Sequence, residues 1–385
     1  MTLFNQSHRF YRFQFTLLLL LTLILGSTSS HAAGFSIPKF ISDYLAAQKA
    51  AAQKAAQPPA AKQSTFVGMN TPFMFFDESK HPAQIKALQD MGVQWVRIDL
   101  HWDRIEPQKG QYDVAALDKL MQKVKDAGLQ PVVYLVGSAP FINSAPTGTT
   151  FELDTWPPTD NAVYASRMVM LAKRYSWVEY WQIWNEPNIS TFWKPQPDAD
   201  KFGALVKSVR DAFNADPSLA SKKLVLGGMA YYSQIPGTDK LMLQALRDNG
   251  TLKLVDVVAY HPYTETPEGD PDPVDPNNFI TRATLMNKLL RDAGVKQIWA
   301  TEFGWSSYTG PVDFQAQITE AQQADYLNRR LTMMKKLDFD RVFVFALQEL
   351  EPWVSNRDQH YGMIRLDGSQ KPAYTAVKNW IQQNN

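Results

Sequence analysis

The chain has no cysteine in its 385 residues. That excludes disulfides, thiolate catalysis, cysteine–zinc sites and a lipid-modified N-terminal cysteine. It carries no excess of either charge: the net charge is +1, so no nucleic-acid footprint is visible and no nucleic-acid partner is expected. No glycine-rich phosphate turn follows the first predicted strand, where Asn70-Thr71-Pro72-Phe73 stands instead. This weakens the doubly wound alternative. No His-Glu-x-x-His occurs, and His81, His101 and His360 are scattered, so neither a metal nor a cofactor is expected. No serine stands on a Gly-x-Ser-x-Gly turn, which argues against a Ser–His–Asp hydrolase. What is plentiful is apolar and aromatic matter, 45% and 12% of residues, with 11 tryptophans and 15 tyrosines. That supports one large domain or two ordinary ones with a sizeable core.

Residues 1–32 read as an export signal. Arg9 and Arg12 open it, Leu17 to Leu25 is apolar apart from Thr22, and Ser30-His31-Ala32 offers a small-x-small cleavage site. An uncleaved membrane anchor is the rival reading, though the run is short for a span of ~20 residues. A periplasmic or secreted location follows, and without Arg9 and Arg12 the remainder is close to neutral. In residues 33–63, Ile37, Phe40, Ile41, Tyr44 and Leu45 recur at helical spacing, and an Ala/Gln/Lys-rich run leads to Pro58-Pro59. This predicts an amphipathic helix and tether. The helix either docks on its own domain, serves as a spacer, or contacts a membrane surface through residues 33–57.

From Ser64 onward, strand and helix patterns alternate eight times, with strands at 65–69, 93–100, 131–136, 178–184, 223–226, 255–260, 296–301 and 341–347. The helices fall at 82–91, 115–127, 162–175, 199–215, 241–249, 280–293, 320–337 and 372–382. Eight βα units predict an α/β fold, a single (β/α)8 TIM barrel domain over 64–385, without an accessory β-sandwich. A monomer is expected.

In such a barrel, functional residues gather where strands end. The fourth strand closes on Trp184-Asn185-Glu186-Pro187, and the seventh on Thr301-Glu302-Phe303-Gly304-Trp305. Two glutamates at two strand ends are what glycoside hydrolysis needs, if the fold unites them. Period two on the second strand puts Trp95, Arg97, Asp99 and His101 on the inner face. A buried Arg97 needs a carboxylate partner, Glu302 or Asp99. His261 and Tyr263 share parity after the sixth strand. His261 can orient either glutamate, and Tyr263 can hold a carboxylate. Trp102, Phe141, Trp193, Tyr231, Trp305, Tyr308 and Trp353 crowd the same ends. They predict stacking platforms for pyranose rings, with Trp102, Trp193, Trp305 and Trp353 as substrate-binding residues. The acidic loop Glu265–Asn278 reads as solvated, with a calcium site or a preference for cationic amino sugars as its alternatives.

These residues resemble the clan A glycoside hydrolases, most of all family 39 and related exopolysaccharide glycosidases of biofilms, with family 5 next. Trp184-Asn185-Glu186-Pro187-Asn188 is similar to the acid/base motif, and Thr301-Glu302-Phe303-Gly304-Trp305 to the nucleophile motif. Arg97 through Trp102 with Glu106-Pro107, Gly227-Gly228, His261-Pro262-Tyr263 and Lys371-Pro372-Ala373-Tyr374 are similar to the accompanying blocks. The resemblance implies a retaining enzyme with Glu186 as general acid/base, Glu302 as nucleophile and Asn185 on the sugar 2-hydroxyl. Val136-Gly137-Ser138 stands where family 5 carries a histidine after strand three. Leu347-Gln348-Glu349 stands at the expected end of strand eight, where that family carries a tryptophan. The wide spread of aromatics predicts endo-cleavage of a β-linked polysaccharide. A transglycosylase, an exo-β-glycosidase and a non-catalytic carbohydrate-binding barrel are the alternatives.

Overall fold

The computed structural model describes residues 64–269, 278–310, 317–352 and 354–384. The proposed signal and tether lie outside them, as does Trp353. No helix among the described residues is long and apolar enough to cross a membrane.

Eight strands and eight long helices alternate along the described chain. They are β1 Ser64–Asn70, α1 His81–Met91, β2 Val93–His101, α2 Ala115–Asp126, β3 Gln130–Val136, α3 Asn161–Arg174, β4 Tyr180–Ile183, α4 Ala199–Ala215, β5 Lys223–Leu226, α5 Met242–Asp248, β6 Val258–Tyr260, α6 Phe279–Asp292, β7 Ile298–Phe303, α7 Glu320–Lys336, β8 Arg341–Val344 and α8 Pro372–Asn384. All ladder pairs are parallel, in the order β5-β4-β3-β2-β1-β8-β7-β6. The ring closes between β5 and β6 through the parallel bridges Val225–Val257 and Met229–Tyr260. This is the (β/α)8 barrel that the alternation predicts.

Local chemistry explains the element ends. Asp198 caps α4 by accepting from the Asp200 and Lys201 amides, and Thr319 with Gln322 forms a capping box on α7. Gly92 ends α1 at φ 76°, a left-handed conformation that glycine adopts without steric cost. Phe202, Leu205, Val206, Val209 and Phe213 of α4 are buried. Their spacing is that of one helical stripe turned to the sheet.

Inside the ring, Trp95, Val132, Val225, Val257, Ala259, Trp299 and Phe343 form a separate apolar cluster. Phe343 fills the space beside Gly68, where an added Cβ would lie 2.5 Å from its ring. The barrel is thus a packed plug below and polar above. Three strands are shorter than their sequence patterns: β4 begins at Tyr180, β6 at Val258, and β8 stops at Val344. The apolar residues 345–347 are therefore not strand. They follow β8 across the cis Phe345-Ala346 peptide, so Phe345, not Leu347, stands at the strand's end.

Candidate active site

The site is built on Arg97. The alternation of β2 turns it inward, and it is 1% exposed. Its Nη1 donates to Glu302 Oε1 at 2.6 Å and to Asn70 Oδ1 at 2.8 Å. Its Nη2 donates to Asn185 Oδ1 at 2.8 Å, and its Nε to Gln182 Oε1 at 2.9 Å. One guanidinium thereby ties the ends of β1, β2, β4 and β7 together. A buried arginine without such partners would be very costly. Glu302, not Asp99, supplies the carboxylate.

Glu186 is placed by strained backbone. Side chains of a regular strand alternate between faces, yet Asn185 and Glu186 both line the same cavity. Trp184 at φ 64° and Glu186 at φ 44° bend the chain to allow this. Left-handed conformations at such residues cost of order 1–3 kcal/mol each and are held by their surroundings. Here the Trp184 amide donates to Leu135 O at 3.1 Å and the Glu186 amide to Gly228 O at 2.9 Å.

His261 lies between the two glutamates and is fully buried. Its Nδ1 is 2.7 Å from Glu186 Oε1 and 3.7 Å from Glu302 Oε2, and its Nε2 is 3.0 Å from Thr301 Oγ1. The Tyr263 hydroxyl donates to Glu302 Oε2 at 3.2 Å. Side-chain exposure is 12% for Glu186 and 11% for Glu302. Burial raises the Glu186 carboxyl above the usual range, against the pull of His261 and Arg97 and with the added push of Glu302. Burial and the neighbouring Glu302 likewise hold the Tyr263 phenol well above its ordinary value.

Ligand atoms of Glu186, His261 and Glu302 lie within 4.8 Å of one another. Among the described residues this is the one His/carboxylate group with metal-like spacing. The Arg97 charge on Glu302 opposes a cation there.

These groups open into a cavity of about 700 Å³. Its wall draws on every side of the barrel mouth, including Phe75, Asp154, Phe192, Tyr231, Phe345 and Tyr361. Arg97, Asn185, Glu186, Tyr263 and Glu302 line it, while His261 stands behind the glutamates. Three tryptophans read as stacking platforms do not face it. Trp102 is 1% exposed and spends its indole N–H on Glu106 Oε2 at 2.8 Å. The same Glu106 carboxylate accepts from Arg167 Nε and Nη2 at 2.6 and 2.7 Å. Trp193, 2% exposed, packs between Trp184 and Phe202. Trp305, 1% exposed, donates to Thr264 O at 2.9 Å and packs on Tyr326. These three are core, because each indole finds an apolar nest below the rim. The acidic loop is described only in part. There, Glu268 pairs with Arg329 and is committed to that ion pair.

Sequence reasoning missed Asn70, Tyr134, Gln182 and Phe345. Tyr134 and Gln182 carried a signal, since each is a polar residue at inward parity on an otherwise apolar strand. Asn70 is set opposite Arg97 by the β1–β2 register, and Phe345 carried no signal.

A family model described as beta-galactosidase, of the glycoside hydrolase 42 type, matches residues 73–140. No curated protein matches the chain. Among solved structures, a family 39 glycoside hydrolase from Bacteroides cellulosilyticus WH2 is similar with a TM-score of 0.65 at 22% identity. The match covers 83% of this chain and 64% of that one, so the chain spans somewhat less than two thirds of that relative's length. A monomeric beta-xylosidase from Caulobacter crescentus CB15 gives 0.61 at 18%, covering 83% and 68%. A beta-galactosidase from the psychrophilic Marinomonas ef1 gives 0.61 at 14%, covering 83% and 59%. The chain is thus a (β/α)8 barrel whose fold is similar to that of family 39 glycoside hydrolases.

Proposed function

We propose that the protein is a retaining β-glycoside hydrolase with Glu186 as general acid/base and Glu302 as nucleophile. The closeness of the two carboxylates carries this reading: an oxygen of each lies within 4.8 Å of the other. Retaining enzymes hold their carboxyls about 5–5.5 Å apart, whereas inverting enzymes leave about 6.5–9.5 Å for a water.

The environments fit two different roles. Glu186, raised by burial, holds a proton to give to the glycosidic oxygen as that bond breaks. Glu302, an acceptor from Arg97 and Tyr263, attacks the anomeric carbon and forms the glycosyl ester. Glu186 then takes a proton from water, whose oxygen attacks the same carbon and frees Glu302. Asn185 gives its amide oxygen to Arg97, which leaves its NH₂ to meet the 2-hydroxyl, where contacts strengthen at the transition state.

The substrate in this reading is a β-linked polysaccharide outside the cytoplasm, an exopolysaccharide, cut internally. Support comes from the export-type N-terminus and from a cavity walled by loops all round the barrel mouth. With three tryptophans in the core, the spread of Phe75, Phe192, Tyr231, Phe345 and Tyr361 takes over the argument for a long site. An exo-acting reading is favoured by the beta-xylosidase and beta-galactosidase among the similar structures. Incubation of the exported form with secreted polysaccharide separates them. Oligosaccharides of several lengths appearing early support internal cleavage, and a single monosaccharide from the start contradicts it. Chain extension with an added acceptor sugar would mark a transglycosylase instead.

A further inference from the structure

Two polar groups on the β2–β3 wall are unused by this chemistry. Asp99 and Tyr134 are Cα partners in the parallel ladder, so they stand side by side on one face. Both line the cavity. Asp99 is 5% exposed. Its Oδ2 lies 3.1 Å from His101 Nε2, and its Oδ1 has no hydrogen-bond partner among the described residues. The Tyr134 ring packs against Arg97, with the guanidinium carbon 4.0 Å from the ring centroid. Its hydroxyl makes no hydrogen bond among the described residues. Burial, with Asp99, Glu302 and Glu186 nearby, keeps this phenol protonated to well above its ordinary range, although Arg97 pulls the other way. It is a donor.

The wall therefore offers one donor and one acceptor on adjacent strands, whose backbones run roughly 4.8 Å apart. Adjacent hydroxyls of a pyranose present the matching acceptor and donor. Arg97 already spends four of its five N–H donors within the protein, on Gln182, Asn70, Glu302 and Asn185. Asp103 and Asp154 line the same side, and Asp103 is close enough to help burial raise the Asp154 carboxyl.

We propose that Tyr134 and Asp99 are specificity-determining residues that read adjacent hydroxyls of the sugar seated against Glu302. The phenol donates to one hydroxyl, and the carboxylate accepts from its neighbour. That sugar is then a neutral one. A uronic acid at this position sets its carboxylate against Asp99, with Asp103 and Asp154 lining the same side beside Arg104. This inference rests on the glycosidase reading.

The test compares the full chain, Tyr134→Phe and Asp99→Asn on aryl β-glycosides of neutral sugars, their monodeoxy analogues and a glucuronide. The wild type should lose kcat/KM on two adjacent monodeoxy analogues and should leave the glucuronide nearly untouched. Tyr134→Phe should lose about tenfold on the parent sugar, and Asp99→Asn about a hundredfold, as for neutral and charged hydrogen bonds. Each variant should show no further loss on one of the two analogues. Equal further losses on every analogue, no loss on the parent, or wild-type cleavage of the glucuronide at the glucoside rate would overturn the proposal. If no glycoside is cleaved, the glycosidase reading fails by itself. Saturation-transfer NMR with the free sugars then decides the pair, and signals unchanged by Tyr134→Phe would overturn it.

Discussion

Arg97 meets Glu302 at 2.6 Å with its guanidinium out of reach of water. The contact joins β2 to β7 and aims the proposed nucleophile. Removing one member of a buried pair strands the other charge, at a cost of about 3–5 kcal/mol. Arg97→Met is expected to lose that much unfolding free energy and to abolish turnover. Denaturant melts at neutral pH check the first part. A loss under about 1 kcal/mol would mean that Glu302 is not held by Arg97 in the folded chain.

Glu186 gives a pH signature. Burial raises its carboxyl above the ordinary 4.5, so the folded state holds this proton more tightly than the unfolded chain does. Its contribution to stability is full below about 4.5 and is lost as pH rises through the raised value. Glu186→Gln stays neutral throughout. The variant's stability relative to wild type is expected to improve as pH rises past that window. The basic limb of activity should vanish with it on glycosides whose leaving group needs no proton. Thermal melts from pH 4 to 8 check the stability part, and a relative stability that falls with rising pH contradicts it.

Gly228 makes room for the histidine between the glutamates. A Cβ there would stand 2.0 Å from His261 Nε2 and 2.5 Å from Thr301 Oγ1. Gly228→Ala must displace His261 from its place beside Glu186 and Thr301. Overpacking costs about 1–3 kcal/mol, and misplacing a catalytic partner by about 1 Å costs on the order of a hundredfold in rate. Activity should therefore fall far more than the folded fraction. Unchanged kcat would mean that His261 does not position Glu186.

Trp193 and Trp305 are assigned to the core. Either one changed to Ala should lose about 3–5 kcal/mol while the folded fraction keeps its KM for oligosaccharides. A raised KM at unchanged stability would return that tryptophan to the substrate groove.

Much of this was legible in the sequence, for physical reasons. The barrel was legible because buried parallel strands and amphipathic helices leave distinct periods, as in β2 and α4. Arg97, Glu302, Tyr263 and His261 were legible because a charge or hydroxyl at inward parity on a strand must find a partner. The tryptophans misled because an indole at a strand end suits a core nest as well as a rim, and only packing separates the two. Asn70 was overlooked because a polar residue at a strand's exit reads as the start of a turn, and its place opposite Arg97 is set by the β1–β2 register. The inward turn of both Asn185 and Glu186 was illegible too, since it depends on left-handed backbone at Trp184 and Glu186 that no residue type there favours.

The most direct test of the two-glutamate account is covalent trapping. A panel of 2-deoxy-2-fluoro aryl β-glycosides should inactivate the enzyme with time, and peptide mass spectrometry should place the sugar on Glu302, with no adduct in Glu302→Gln. The first product seen by NMR should keep the β configuration. An inverted first product, or an adduct on any other residue, would contradict it.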